Sequence, residues 1–172
     1  THLTVNLCSG ARRLTLSQGE ALFDVFHDPV LPFIVSAAGG EVTAVGTAFN
    51  IRVETHGATV TVLEGRVSVT PDASTGGRRH PPLQQFASAG QQVSYRSGTV
   101  AQLPSATQRV ITLPKAVDAP RTVDWSRGVL QFDGEPLSQV VEEVNRHSAR
   151  QIRVLDPELA RTPIYGVLHI GD

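Results

Sequence analysis

One cysteine, one tryptophan, no methionine and only 5 % aromatic residues leave few side chains for several kinds of chemistry. Cys8, alone, cannot close an intrachain disulfide or build a thiolate metal cluster. So few rings make no stacking platform for single-stranded nucleic acid. A formal net charge of −1 gives no field that would gather a phosphate backbone or an anionic membrane, so nucleic acid is not an expected partner. Of fifteen basic residues only Lys115 is a lysine. No apolar run approaches the roughly 20 residues that span a bilayer. The chain begins at Thr1, directly in a strand-like LTVNL, and reads as a piece of a longer protein. A membrane segment or export signal would then lie upstream.

Catalytic signatures are missing too. There is no G-x-S-x-G elbow and no G-x-x-x-x-G-K-[ST] phosphate loop. The six histidines, His2, His27, His56, His80, His147 and His169, include no pair at helical i, i+4 spacing. His27 and Asp28 are adjacent, and on an extended chain adjacent side chains point to opposite faces. Gly46-Thr47 in TAVGTAFNIRV (43–53) is flanked by strand-type residues, with no helix following to complete a phosphate site. A glycine inside a strand pattern marks a bulge or a close backbone approach. The expectation is a binding domain with no catalytic residue, metal or cofactor.

What the chain does have is β pattern. LTVNL (3–7), RRLTL (12–16), EALFDVF (20–26), PFIVSA (32–37), EVTAVGTAFNIRVE (41–54), ATVTVLE (58–64) and RVSVT (66–70) are rich in Val, Thr, Ile and Phe and largely alternate. Gly19, Gly40, Gly65 and Gly90 each introduce such a run, at spacings of roughly 21 to 25 residues, the range of a stacked β-coil repeat. Glycines at the turns of an ordinary sandwich give a similar signal. PDASTGGRRHPPLQQ (71–85) has no period and reads as a long solvated loop. Residues 104–124 read as a proline-rich linker around one short strand, RVITL.

The pattern then changes. GVLQFD (128–133) predicts a strand, closed by a turn at DGEP. Leu137, Val140, Val141 and Val144 fall at i, i+3, i+4 and i+7, which predicts a helix with Pro136 in its first turn and Gln139, Glu142, Glu143 and Arg146 on the other side. RQIRVLD (150–156) and PIYGVLHIGD predict two further strands, with Asp156 and Pro157 opening a short helical turn between them. The fold class expected is mainly β: a solenoid-like or sandwich-like domain over 1–103, then a small α+β, β-α-β module over 125–172.

LSQGEALFDVFHDPVLPFIVSAAGGEVTAVGTAFNIRV, then TVTVLEGRVSV, then AGQQVSY, closely resembles the FecR family of sigma-factor regulators. WSRGVLQFDGEPLSQVVEEVNRHSARQIRV resembles the stretch that follows in that family, with His147 where tyrosine is usual. The resemblance implies a single-pass inner-membrane protein whose missing cytoplasmic segment holds an extracytoplasmic-function sigma factor. Its periplasmic part, this chain, would receive a signal from the signalling domain of a TonB-dependent outer-membrane transducer, often one loaded with an iron chelate. The terminal module resembles the short N-terminal domain of secretins and TonB-dependent proteins, of which only the first β-α-β half is present. Docking residues expected on this basis are Gln139, Glu142 and Arg146 on the helix, and Tyr165, Val167 and His169 on the last strand. A carbohydrate-binding domain using Glu20 and Asp24 is the alternative of another class, and a structural domain oligomerising through an open module edge is the third.

Overall fold

The computed structural model describes residues 1–8, 11–72, 83–96, 111–148 and 150–169. Ten strands follow one another through the first part: β1 (His2–Cys8), β2 (Ala11–Gln18), β3 (Glu20–Asp24), β4 (Phe33–Ala37), β5 (Gly40–Ala44), β6 (Ala48–Glu54), β7 (Gly57–Glu64), β8 (Arg66–Pro71), β9 (Gln85–Ser88) and β10 (Gln91–Arg96). A two-residue strand, β11 (Lys115–Ala116), pairs with β10. One sheet runs β1-β2-β4-β5-β8-β9 and the other β11-β10-β7-β6-β3. Only β2 and β4 pair in parallel; the other ladders among the described residues are antiparallel. Both sheets are open.

The core lies between them. Leu16, Val35, Val42, Val67 and Val69 come from one sheet, and Phe49, Ile51, Val60, Val62 and Val93 from the other, all essentially inaccessible to water. The alternation that predicted strands is the alternation that fills this core: on β5, Gly40, Val42 and Ala44 point in while Glu41 and Thr43 do not. Phe23, Phe33 and Phe49 cluster at one end, Phe23 stacked on Phe49 with centroids 5.2 Å apart. Of the two architectures left open by the sequence, this is the sandwich.

The glycine repeat has a specific cause. Gly19, Gly65 and Gly90 sit at the β2–β3, β7–β8 and β9–β10 junctions, where the chain leaves one sheet for the other, with φ of +90°, +78° and +75°. A residue with a Cβ is strained there, so each corner takes glycine. Gly40 is different: it starts β5 within one sheet, and the Tyr95 ring occupies the space a side chain would need.

The run 41–54 is a correction. It forms two strands, β5 and β6, which belong to different sheets, and Val45–Thr47 turn the corner between them. Residues 25–28 pass against this corner: Val25 N–H donates to the Thr47 carbonyl (3.0 Å) and Asp28 N–H to the Val45 carbonyl (2.8 Å). A Cβ on Gly46 would lie 2.5–2.7 Å from His27 atoms, including its Cα. Gly46 thus permits a close backbone approach, as expected, at a corner and not within a strand.

The chain divides into compact units at Ala119/Pro120, inside the stretch read as linker; a single helical turn, α1 (Ala119–Thr122), lies at the division. Of RVITL only residues 111–113 are described, and Ile111 forms an isolated bridge with Tyr95. Most of the loop predicted over 71–85 lies outside the described residues. The second unit contains β12 (Val129–Pro136), helix α2 (Leu137–His147) and β13 (Pro163–His169), with β12 and β13 antiparallel. Two expectations need correcting here. DGEP is not a turn: Asp133 and Glu135 stay in β12 around a bulge at Gly134, whose φ is +98°. Residues 151–156 carry strand pattern but join no sheet among the described residues.

Candidate interaction surface

Helix α2 starts directly from β12, with Pro136 as its N-cap in extended conformation and Leu137 as its first residue. Val140 is buried, and Leu137, Val141 and Val144 are partly covered, so the predicted apolar stripe is the inward one. Gln139, Glu142 and Arg146 are exposed, spaced along the opposite side. Arg146 is not fully available: its Nη1 lies 3.1 Å from Glu143 Oε2 in an i, i+3 pair. At the end of the helix His147 stacks on Trp125, which is carried by a 3-10 turn, Asp124–Arg127; the centroids are 5.4 Å apart at 18°. The departure from the family's tyrosine therefore keeps an aromatic ring in a stacked position.

On β13, Tyr165, Val167 and His169 stand opposite Asp133, Gln131 and Val129 of β12 and share one face by period two. All three are exposed, Tyr165 at 70 %. Tyr165 lies over Gly134, where a Cβ would come within 3.2 Å of its hydroxyl. The glycine at the bulge leaves room for the Tyr165 ring beside it. The six expected docking residues are thus exposed, three on the helix and three on the strand.

The first unit adds a feature the sequence reading missed. Phe26 and Val30 are 84 % and 82 % exposed on the segment between β3 and β4, with Leu31 beside them. This segment is held in shape. Arg12 donates from Nε and Nη2 to the Leu31 carbonyl (3.0 and 2.8 Å) and from Nη1 to the Phe26 carbonyl (3.3 Å), and its guanidinium lies over the Phe33 ring. Asp28 Oδ1 accepts from the Val30 and Leu31 N–H groups (2.9 and 3.1 Å). The available signal was Asp28 followed by Pro29, an Asx-turn pattern between two strands.

The carboxylates singled out for carbohydrate chemistry do not pair. Glu20 accepts from Asn50 Nδ2 (2.6 Å) and from Arg52 Nε (3.1 Å), which commits both its oxygens to neighbouring β6. Asp24 is exposed at the end of β3. Two carboxylates flanking a glycosidic bond would have to face the same cleft. Glu20 instead links two strands.

Residues 1–68 match the family model described as FecR protein. Two crystal structures of provisionally assigned anti-sigma factors from Parabacteroides distasonis ATCC 8503 are similar to this chain. One superposes with a TM-score of 0.69 at 26 % identity, over 99 % of this chain and 73 % of the other. The second gives 0.67 at 27 % identity, over 97 % and 70 %. No curated protein matches significantly. The matched residues form the sandwich as far as β8, and the likeness to anti-sigma factors extends over nearly the whole chain, which together support a FecR-family sigma-factor regulator.

Proposed function

We propose that this chain is the periplasmic receiver region of a single-pass inner-membrane sigma-factor regulator. It binds the signalling domain of a TonB-dependent outer-membrane transducer and relays that signal to an extracytoplasmic-function sigma factor held by a cytoplasmic segment. The observation that carries this reading is the pairing of a FecR sandwich with a separate β-α-β unit whose helix and last strand both present exposed, mixed polar and apolar side chains. A rigid β scaffold with a small surface of this kind suits docking. Iron-chelate sensing is the signal class that fits such a transducer. No helix among the described residues is long and apolar enough to cross a membrane, so on this reading the anchor belongs to another part of the protein.

Calorimetry with the transducer's signalling domain tests the reading. The wild-type chain should bind, and reversing charge at both Glu142 and Arg146 should weaken binding at least tenfold, since a handful of residues carries most of the energy of an interface. Unchanged affinity in the double variant would remove the helix face from the docking surface. No binding by the wild-type chain would remove the receiver role itself.

A further inference from the structure

Residues 151–156 alternate like a strand and run without turn or bend, yet they join no ladder. One side chain holds them in place. Asn145, on the last turn of α2, donates from Nδ2 to the Ile152 carbonyl (2.8 Å) and accepts the Ile152 N–H at Oδ1 (2.7 Å). That double exchange is what a residue on a neighbouring antiparallel strand would make. Two further side chains fix the ends of the segment. Gln151 Nε2 donates to the Asn145 and Ser148 carbonyls, and Asp156 Oδ1 caps the turn that follows.

Successive residues of such a run direct their backbone groups to alternate sides. With Ile152 facing Asn145, the N–H and C=O groups of Arg153 and Leu155 face the other way, and they have no hydrogen-bond partner among the described residues. Leu155 is 91 % exposed. Arg150 and Arg153 are exposed and make no ion pair among the described residues. The segment is therefore an edge already ordered, with two unpaired backbone rungs, two unpaired cations and an uncovered apolar side chain.

We infer that residues 151–156 are the edge to which a partner protein adds a β-strand, one carrying carboxylates opposite Arg150 and Arg153 and an apolar side chain against Leu155. This rests on the receiver reading above and names its mode of docking. Main-chain bonds supply affinity and alternate side chains supply selectivity in strand addition, and an edge held in advance loses less conformational entropy on pairing. A second copy of the chain is a poorer occupant. Antiparallel self-pairing that uses both outward rungs sets Arg153 opposite Leu155, so a second copy offers that cation no carboxylate across the ladder.

Amide hydrogen exchange on the full chain, alone and with the transducer's signalling domain, tests this directly. Binding should slow exchange at Arg153 and Leu155 at least tenfold. Leu155→Pro removes an outward N–H and should weaken affinity at least tenfold beyond Leu155→Ala, which removes only the side chain; Arg153→Glu should weaken it as well. Circular dichroism identical to wild type shows that these surface variants remain folded. If the wild-type chain binds but protection falls elsewhere, or Leu155→Pro binds as tightly as Leu155→Ala, strand addition here is wrong and the receiver reading stands. Protection that rises with the chain's own concentration, without the transducer domain, overturns the choice of partner in favour of a second copy. Absence of any binding by wild type removes the receiver reading and this inference with it.

Discussion

Tyr95 of β10 donates its hydroxyl to the Ala37 carbonyl of β4, on the opposite sheet, while its ring fills the space left above Gly40. The pair ties the two sheets together by a buried hydrogen bond and by shape at once. Burial, with Asp72 nearby, raises the Tyr95 pKa well above the ordinary phenol range, so the hydroxyl stays protonated and a donor where a free phenol would begin to ionise. Tyr95→Phe keeps the ring and leaves the Ala37 carbonyl without this donor. The expected loss is about 1–3 kcal/mol, the usual cost of a buried group deprived of its partner. Urea denaturation of the two proteins measures it, and an unchanged midpoint would show that the bond contributes nothing.

Gly40→Ala should cost more than Tyr95→Phe, because the added Cβ would lie 2.6 Å from a ring carbon of Tyr95. In a close-packed interior that overlap must move the ring, breaking the hydroxyl bond as well. In a double variant, Gly40→Ala with Tyr95→Leu should recover part of the loss. Strict additivity of the two changes would argue against their coupling.

The Gly46-Thr47 corner separates two roles that the sequence left together. Gly46→Val should destabilise by about 3 kcal/mol or more, since His27 backbone is in the way and two backbone bonds hold the approach closed. Thr47 Oγ1 is buried and has no hydrogen-bond partner among the described residues. Replacing that hydroxyl by a methyl of similar size, as in Thr47→Val, should therefore raise stability by about 1 kcal/mol. Thr47→Ala should leave partner binding intact. Loss of binding by a folded Thr47→Ala protein would assign the hydroxyl a functional role.

Strand content and the apolar stripe of α2 were legible because each is a local period: Val42 and Ala44 alternate with Glu41 and Thr43, and Val140 and Val144 recur at helical spacing. The corners were half legible. Gly19, Gly65 and Gly90 stood out by spacing, but spacing does not say whether a glycine serves a coil, a hairpin or a change of sheet. The division of 41–54 into two strands was hidden, because Val45 has the same β character whether it continues a strand or turns a corner. Residues 151–156 show the converse. Their alternation is real, but a strand also requires a neighbour, and no local pattern reports that. Among site residues, exposure of Gln139, Glu142 and Arg146 followed from helix period, while the exposed Phe26 and Val30 depend on Arg12, fourteen and more residues away.

His147 should tolerate the family's tyrosine better than it tolerates truncation. His147→Tyr keeps a ring on Trp125, whereas His147→Ala removes the stacked partner and should cost about 0.5–1.5 kcal/mol. Trp125 is the one tryptophan in the chain, so its fluorescence reports this site directly. The emission of His147→Tyr should stay close to wild type, and that of His147→Ala should shift to the red. Equal emission in all three proteins would mean that the stack is absent in solution.

The second unit should also weaken in acid through Glu135. Its carboxylate accepts the Asp133 N–H across the Gly134 bulge and lies 3.1 Å from Arg121 Nη2. The backbone N–H bond is the larger cause, and the arginine charge a smaller one, of a pKa held below the ordinary value of 4.5. A carboxylate whose pKa is depressed by folding stabilises the native state above its unfolded pKa, and that contribution is lost as pH falls through the folded value. The loss should therefore begin below pH 4.5 and stay absent near neutrality. Being partly exposed, the pair is screened by solvent, so the effect should be small and should shrink further in salt. Nuclear magnetic resonance of the β12 and β13 amides across an acid titration follows it. In Glu135→Gln the same amides should lose their acid-dependent step, and a step of the same size in that variant would assign it to another group.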